Sequence, residues 1–389
     1  MPETTGRANG PTAMSEEGRP ETTFAELLRP ELEELRAYVP HVPPGIEVKL
    51  DANEAPPSAS PRVREVVMRA LESVALERYP DPRALRLKEA IARRTGARPE
   101  DLLVGTGSDE VIVLLETALD RPRERNPQAV VLTPVPTFVM YRIAARAHGL
   151  KPVEVPLDAS WDLDVGQMKR AIEMMNPSVV FIATPNNPTG NRMSEARLDS
   201  VIAAAEAARA ITIVDEAYVD YAGPNASLRP WRERHLGLGI LRTLSKIGLA
   251  ALRVGWLEAD RALVTEVDKV RQPFNVSATS QIAAAAVLEE AWDEVQADAV
   301  RVVRARDALA AEIEKLDGFS LTPSDANFVW VKTPGPAESV FDALVADGVL
   351  VRSFHTSGGR MGTQLRITAG TDAQHDRLLE SLRRIARSG

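Results

Sequence analysis

Residues 179–218 read VVFIATPNNPTGNRMSEARLDSVIAAAEAARAITIVDEAY. Two short apolar, β-branched runs, Val179–Ala183 and Ile211–Val214, flank a helical stretch at 194–209. Neither run alternates with polar residues, so both are expected in a parallel sheet covered on its two faces. Each run ends in a polar cluster. Thr184-Pro-Asn-Asn-Pro-Thr-Gly190 follows the first and Asp215-Glu-Ala-Tyr218 the second. In open α/β sheets, ligands bind beyond the carboxyl ends of the strands. The chemistry is therefore expected in these clusters.

The pattern extends in both directions. Further strands are predicted at Ala129–Leu132, Pro152–Pro156, Gly239–Leu244 and Val254–Leu257, with helices at 109–119, 137–148 and 164–174. Upstream, 62–77 and 83–95 have helical apolar spacing. The first is expected to end at Tyr79-Pro-Asp-Pro82 and the second at Gly96. Downstream, 278–316 is Ala-, Glu- and Arg-rich and strongly helical. Strands at 327–332 and 364–368 and helices at 337–347 and 372–387 come after it. The fold class is α/β: a large domain with a mostly parallel central sheet covered by helices, plus a smaller, discontinuous α+β domain. The expected division is a disordered tail at 1–22, a segment at 23–50 packing with the small domain, the large domain at 51–275 and the small domain at 276–389.

Composition narrows the chemistry. There is no cysteine among the 389 residues, so thiol nucleophiles, disulfides and iron–sulfur clusters are excluded. The five histidines, His41, His148, His235, His355 and His375, show no helical zinc spacing, and no metal site is expected. A formal charge of -8 without a long basic run argues against nucleic acid and anionic membranes as partners. No apolar run approaches the length of a membrane span, and residues 1–22 lack a signal-peptide core, so a cytoplasmic location is expected.

Taken singly, the polar clusters are ordinary. Asn186-Asn187-Pro188 reads as a turn, Asp215 as a cap, and Lys246 in Ser245-Lys246 as a surface lysine. Gly105-Thr-Gly-Ser-Asp-Glu110 is only a partial glycine motif opening a helix. Together they supply a helix N-terminus, a guanidinium (Arg253), a carboxylate, a phenol, an amide and an amine. Pyridoxal 5'-phosphate fits that set. Its phosphate wants N–H groups, hydroxyls and a guanidinium. Its ring nitrogen wants a carboxylate, and its aldehyde wants a lysine.

The chain resembles the fold-type I pyridoxal-phosphate aminotransferases, and within them the histidinol-phosphate aminotransferase family. The likeness spans about residues 24–388. It rests on Asp51-Ala-Asn-Glu54, Gly105-Thr-Gly-Ser-Asp-Glu110, Pro136-Thr-Phe-Val-Met-Tyr141, Asn186-Asn-Pro-Thr-Gly190, Asp215-Glu-Ala-Tyr218, Thr243-Leu-Ser-Lys246 and Leu365-Arg-Ile-Thr-Ala-Gly370. The resemblance implies that Lys246 links covalently to the cofactor, Asp215 partners its ring nitrogen, and Tyr218 and Asn187 bond its ring oxygen. Phe138 would stack on the ring. Gly107, Ser108, Asp109, Ser245 and Arg253 would hold its phosphate. Tyr79 resembles a tyrosine that reaches the neighbouring subunit's cofactor, which implies a homodimer; it also reads as a turn anchor before Pro80. One departure stands out: the Lys246–Arg253 interval is one residue shorter than in many family members.

For the substrate, Arg366 resembles the arginine that grips a carboxylate, while Arg352 and Tyr38 lie where the family holds a substrate phosphate. Ala37 replaces the proline expected before Tyr38. Asn53 is expected in the pocket wall. The implied reaction moves an amino group from L-histidinol phosphate to 2-oxoglutarate, in two half-reactions at one site, giving imidazole-acetol phosphate and L-glutamate. Aromatic amino-acid transamination and threonine-phosphate decarboxylation are the alternatives. A ligand-sensing regulator is disfavoured, because the stretch before Thr23 is too short for a DNA-binding domain.

Overall fold

The computed structural model describes residues 42–123 and 126–388, together with Leu27, Leu28 and Leu32. The expected helix at 24–38, Tyr38 within it, and most of the 1–22 and 23–50 segments lie outside the described residues.

In chain order the main elements are β1 (Val48–Leu50), α1 (Arg62–Glu72), α2 (Leu85–Thr95), β2 (Leu102–Thr106), α3 (Gly107–Ala118), β3 (Val130–Val135), α4 (Met140–Ala147), β4 (Lys151–Pro156), α5 (Val165–Met175), β5 (Val179–Ala183), α6 (Glu195–Ala207) and β6 (Ile211–Asp215). Then come β7 (Leu238–Thr243), β8 (Val254–Glu258), α7 (Arg261–Asp268), α8 (Ala278–Glu290), α9 (Trp292–Ile313), β9 (Ser320–Thr322), β10 (Phe328–Lys332), α10 (Ala337–Ala346), β11 (Val349–Ser353), β12 (Gln364–Thr368) and α11 (Asp372–Ser388).

Seven strands form one sheet in the order β2-β8-β7-β6-β5-β3-β4. The pairs from β7 through β4 are parallel. β8 runs antiparallel to both β7 and β2. The reason is the connection. Ten residues, Leu244 to Arg253, join β7 to β8, too few for the helical crossover a parallel pair requires. The chain therefore turns back at the carboxyl end of β7. β5 is buried along its whole length. Val179 and Phe181 pack on the side of Ile112, Leu115 and Tyr141, whereas Val180 and Ile182 pack on the side of Met168, Leu198 and Val201. Helices on both faces thus explain the continuous apolar runs.

A second, five-stranded sheet runs β1-β11-β12-β10-β9. β1 enters it parallel to β11, with Val48 opposite Val349. The other pairs are antiparallel.

β2, β9 and α7 lie outside the expected elements. β2 ends in the glycine motif, whose Gly105 disguises a strand. The helix expected at 62–77 stops at Glu72, where the Ser73 hydroxyl donates to the Ala70 carbonyl at 2.7 Å and competes with the helical ladder. It therefore ends well before Pro80. The run at 278–316 is broken at Ala291 (φ -137°), where no glycine or proline marks it, and ends at Ile313.

One buried group is out of keeping with its surroundings. Glu116 on α3 is fully buried, and neither carboxylate oxygen has a hydrogen-bond partner. Burial pushes its carboxyl from the usual 4.5 up to about 9. Between those values the folded chain keeps a proton that the unfolded chain releases, so stability falls as pH rises through that window. Glu116→Leu should flatten the decline and raise stability at pH 8 by on the order of 1–3 kcal/mol. Thermal unfolding at pH 5 and pH 8 measures it; equal pH dependence in the two proteins would refute the assignment.

Candidate active site

The sheet's directions bring separate segments to one edge. The carboxyl ends of β2, β5, β6 and β7 and the start of β8 meet there. Ala183 is registered opposite Asp215, Asp215 opposite Leu241, Thr243 opposite Gly255, and Thr106 opposite Val254. β4 and β5 leave β3 on opposite sides, which opens a crevice between β3 and β5. The segments after these two strands carry Phe138 and Asn187.

A cavity lies at this edge. Ser108, Asp109, Phe138, Asn187, Asp215, Tyr218, Ser245, Lys246 and Arg253 all line it, as expected. Gly107 sits behind the lining, its N–H donating to the Arg253 carbonyl at 2.9 Å. A Cβ at Gly107, which has φ +77°, would stand 2.8 Å from an Arg253 guanidinium nitrogen.

Asp215 is the buried charge of the site. Its Oδ2 accepts from the Tyr141 hydroxyl at 2.7 Å and its Oδ1 from the Ala217 N–H at 2.9 Å. Burial pushes the carboxyl up to about 6 despite those two donors. Tyr141 is itself fully buried, stacked 4.8 Å from Phe181, and burial holds its phenol well above the usual value. Tyr141 ends the Pro136–Tyr141 motif, yet its sequence position alone gives it no role. Its spacing of three from Phe138 across the start of α4 was the available signal; the two rings meet edge to face at 5.6 Å. Thr243 was also missed. Its Oγ1 accepts from the Ser245 N–H at 3.1 Å and shapes the turn into Lys246.

At the opposite end, α3 begins with Gly107 and Ser108, and its first-turn N–H groups have no intrahelical partners. Arg253 approaches Ser245 Oγ at 3.4 Å and Asp109 Oδ2 at 3.3 Å. The shortened interval still delivers it, through a turn with left-handed backbone at Gly248 (φ 90°) and at Arg253 itself (φ 50°). The Tyr221 hydroxyl donates to the Lys246 carbonyl and fixes that turn.

The second sheet reaches the cavity mouth. Asn53, with φ 55°, donates from Nδ2 to the Tyr218 hydroxyl at 2.8 Å. Its N–H donates to Thr368 Oγ1 at 3.0 Å, and its carbonyl accepts from Asn327 at 3.0 Å. Arg366 donates to Asn187 Oδ1 at 2.6 Å and to the Asp51 carbonyl. Arg352 stands directly opposite Arg366 in the β11–β12 ladder and is exposed. Tyr79 is not in this cavity. It is 82% exposed and stacked on Phe274 at 4.6 Å.

The sequence profile described as aminotransferase class I and II matches residues 46–382. The chain belongs to this family. As an aminotransferase of that class it is a transaminase of the fold-type I architecture. It is 39% identical to histidinol-phosphate aminotransferase 2 of Nitrosococcus oceani, over 92% of this chain and 97% of that one. It is 36% identical to the histidinol-phosphate aminotransferase of Aquifex aeolicus, over 90% and 96%. Among solved structures, the histidinol-phosphate aminotransferase of Sinorhizobium meliloti in complex with pyridoxal-5'-phosphate matches with a TM-score of 0.79, 25% identity, and coverage of 96% of this chain and 100% of that one.

The seam between α3 and β8 can be tested directly. A Cβ at Gly255 would lie 2.3 Å from the Ser108 nitrogen and 2.5 Å from the Gly107 carbonyl carbon, both backbone atoms. Gly255→Ala should therefore lower unfolding stability by about 2 kcal/mol or more. Denaturant titration reads this; a variant as stable as the parent would contradict the close approach.

Proposed function

We propose that this transaminase uses pyridoxal 5'-phosphate to move an amino group from L-histidinol phosphate to 2-oxoglutarate, giving imidazole-acetol phosphate and L-glutamate. The observation that carries the cofactor is the polarity of the cavity. A buried carboxylate, Asp215, stands at one end, and the α3 N-terminus with Arg253 stands at the other. A molecule with a protonated ring nitrogen and a phosphate satisfies both ends. The complex of the S. meliloti relative supports the same choice.

In this reading Lys246 Nζ would hold the cofactor, and as a free amine it would move a proton at the donor carbon that bears the amino group. Asp215 would accept a hydrogen bond from the protonated ring nitrogen and keep it charged, while the Tyr141 hydroxyl orients Asp215. Tyr218, positioned by Asn53, and Asn187, positioned by Arg366, donate to the ring oxygen. Phe138, in the cavity lining, would cover one face of the ring. Ser108, Ser245, Arg253 and the N–H groups of Ser108 and Asp109 take the phosphate. Bound pyridoxal 5'-phosphate supplies an aldehyde for the amine and a ring that spreads the charge left on the donor carbon.

The donor is assigned from Arg352 and Arg366. Directly opposed residues in an antiparallel ladder share a face, so the two guanidiniums stand on one side of the second sheet. A substrate phosphate or carboxylate suits such a pair, and Tyr38 is proposed to join them. The names of the relatives support histidinol phosphate.

We further propose a homodimer in which Tyr79 reaches the neighbouring site; its exposure beside the exposed Leu76 and Phe274 supports this. The proposed domain division is 51–275 and 276–389, with 23–50 joining the small domain. Pairing of β1 with β11 supports the last point. Among the described residues no helix is long and apolar enough to cross a membrane, and we propose a cytoplasmic location.

Lys246→Ala should abolish both the visible absorption of the bound cofactor and turnover. The deciding assay mixes holoenzyme with single amino donors and tracks loss of that absorption. Histidinol phosphate should discharge it fastest; rapid discharge by phenylalanine and none by histidinol phosphate would overturn the donor. Release of carbon dioxide from threonine phosphate would point to decarboxylation instead. Arg352→Ala should raise KM for histidinol phosphate about tenfold or more and leave an uncharged aromatic side chain less affected.

A further inference from the structure

The segment joining β11 to β12 carries Arg360, a residue the cavity does not use. Its guanidinium donates to two successive carbonyls of another loop, Asp158 at 2.6 Å and Leu157 at 2.8 Å. Its Cζ lies 3.6 Å from the centre of the Trp161 indole. One side chain thus ties the second sheet's hairpin to the turn after β4, in the first sheet.

The receiving surface is firm. Asp158 Oδ1 accepts from the N–H groups of Ser160 and Asp162, both at 2.9 Å, and Arg197 binds the other oxygen at 2.5 Å. Trp161 is buried with φ 65°, a backbone region that bulky residues rarely adopt, and its edge meets Trp330 at 5.9 Å. Strain of this kind persists only where its surroundings over-determine it. The donating segment differs. Gly358 (φ 66°) and Gly359 (φ 52°) precede Arg360, and a Cβ at either would meet nothing within 4 Å. These glycines answer to backbone conformation and not to space, and the segment is also anchored where Phe354 meets Trp330 at 4.9 Å.

The contacts connect the clasp to Asn187 in the cavity wall. Asn191 Nδ2 donates to the Trp161 carbonyl at 3.0 Å, and the Asn191 carbonyl accepts from the Asn186 N–H at 2.9 Å. The next residue, Asn187, accepts from Arg366. From Arg366 the chain runs back to Arg360.

We infer that Arg360 is a positioning residue: its clasp on Trp161 and the 157–158 carbonyls sets how closely Arg352 and Arg366 stand over the cavity, and so how tightly anionic substrates are held. This rests on the transaminase reading of the site. Arginine is required because its planar fork spans two carbonyls while its face covers an indole. A lysine ammonium does not do both.

The test compares holoenzymes of the parent, Arg360→Ala and Arg360→Lys by steady-state kinetics, visible absorption and amide hydrogen exchange. Arg360→Ala should raise KM for the amino donor and for the 2-oxo acid together by about tenfold, with kcat within about twofold. Cofactor absorption should not change, and exchange should quicken at both 354–363 and 157–161. Arg360→Lys should resemble the alanine variant. Unchanged KM and exchange in Arg360→Ala, full rescue by lysine, or loss of the cofactor absorption would overturn the inference. Should the parent fail to transaminate histidinol phosphate, the donor assignment falls, while the exchange comparison still decides the clasp.

Discussion

The structure turns on a carboxylate kept away from water. Asp215 ends a parallel strand whose neighbours are buried on both faces, and its two oxygens are met by a phenol and a main-chain N–H, neither of them a cation. Such a group is costly in its ionised form unless positive charge lies close by. Much of the surrounding construction serves to hold it there. Tyr141 is stacked on Phe181 so that its hydroxyl points at Oδ2. Phe138 and Tyr218 wall the cavity on either side. Lys246 lends it some positive charge across the cavity, and the remaining space suits a further cation.

The second constraint is topological. Because β8 returns antiparallel to β7, Lys246 and Arg253 lie on one short turn and both face the same edge as Asp215. β2 lies antiparallel to β8 in turn, and the close approach at Gly255 brings the α3 N-terminus to the same place. A parallel β8 would have carried Arg253 to the far edge of the sheet. In the proposed reading the second sheet would supply specificity from outside, through Asn53, Arg352 and Arg366, none of which belongs to the strands that line the cavity.

Much of this was legible in the sequence, for physical reasons. Continuous apolar runs such as Val179–Ala183 announce covered strands, and the residues just beyond the carboxyl end of such a strand are a natural place for chemistry. Lys246, Asp215 and Asn187 all occupy positions of that kind, and Ser108 opens the helix after the glycine motif. Other parts were hidden. Tyr141 has the appearance of a core aromatic, because its function depends on a buried hydroxyl bond to a residue 74 positions away. β2 hid behind Gly105. The break at Ala291 answers to no local signal and is set by packing. Arg360 is an exposed arginine between glycines in sequence; only the fold shows Trp161 beneath it. Tyr79 illustrates the reverse case, a motif residue that a single chain leaves on its surface, stacked on Phe274.

The most direct measurement is a carboxyl NMR titration of aspartate-labelled protein, with Asp215→Asn to assign the signal, run with and without pyridoxal 5'-phosphate. Without the cofactor, Asp215 should titrate near 6. With it, the nearby ring cation should keep the carboxylate ionised through that range, so the titration step should move to lower pH. An identical titration in both states would contradict the pairing of Asp215 with the ring nitrogen, and with it the reading of the cavity.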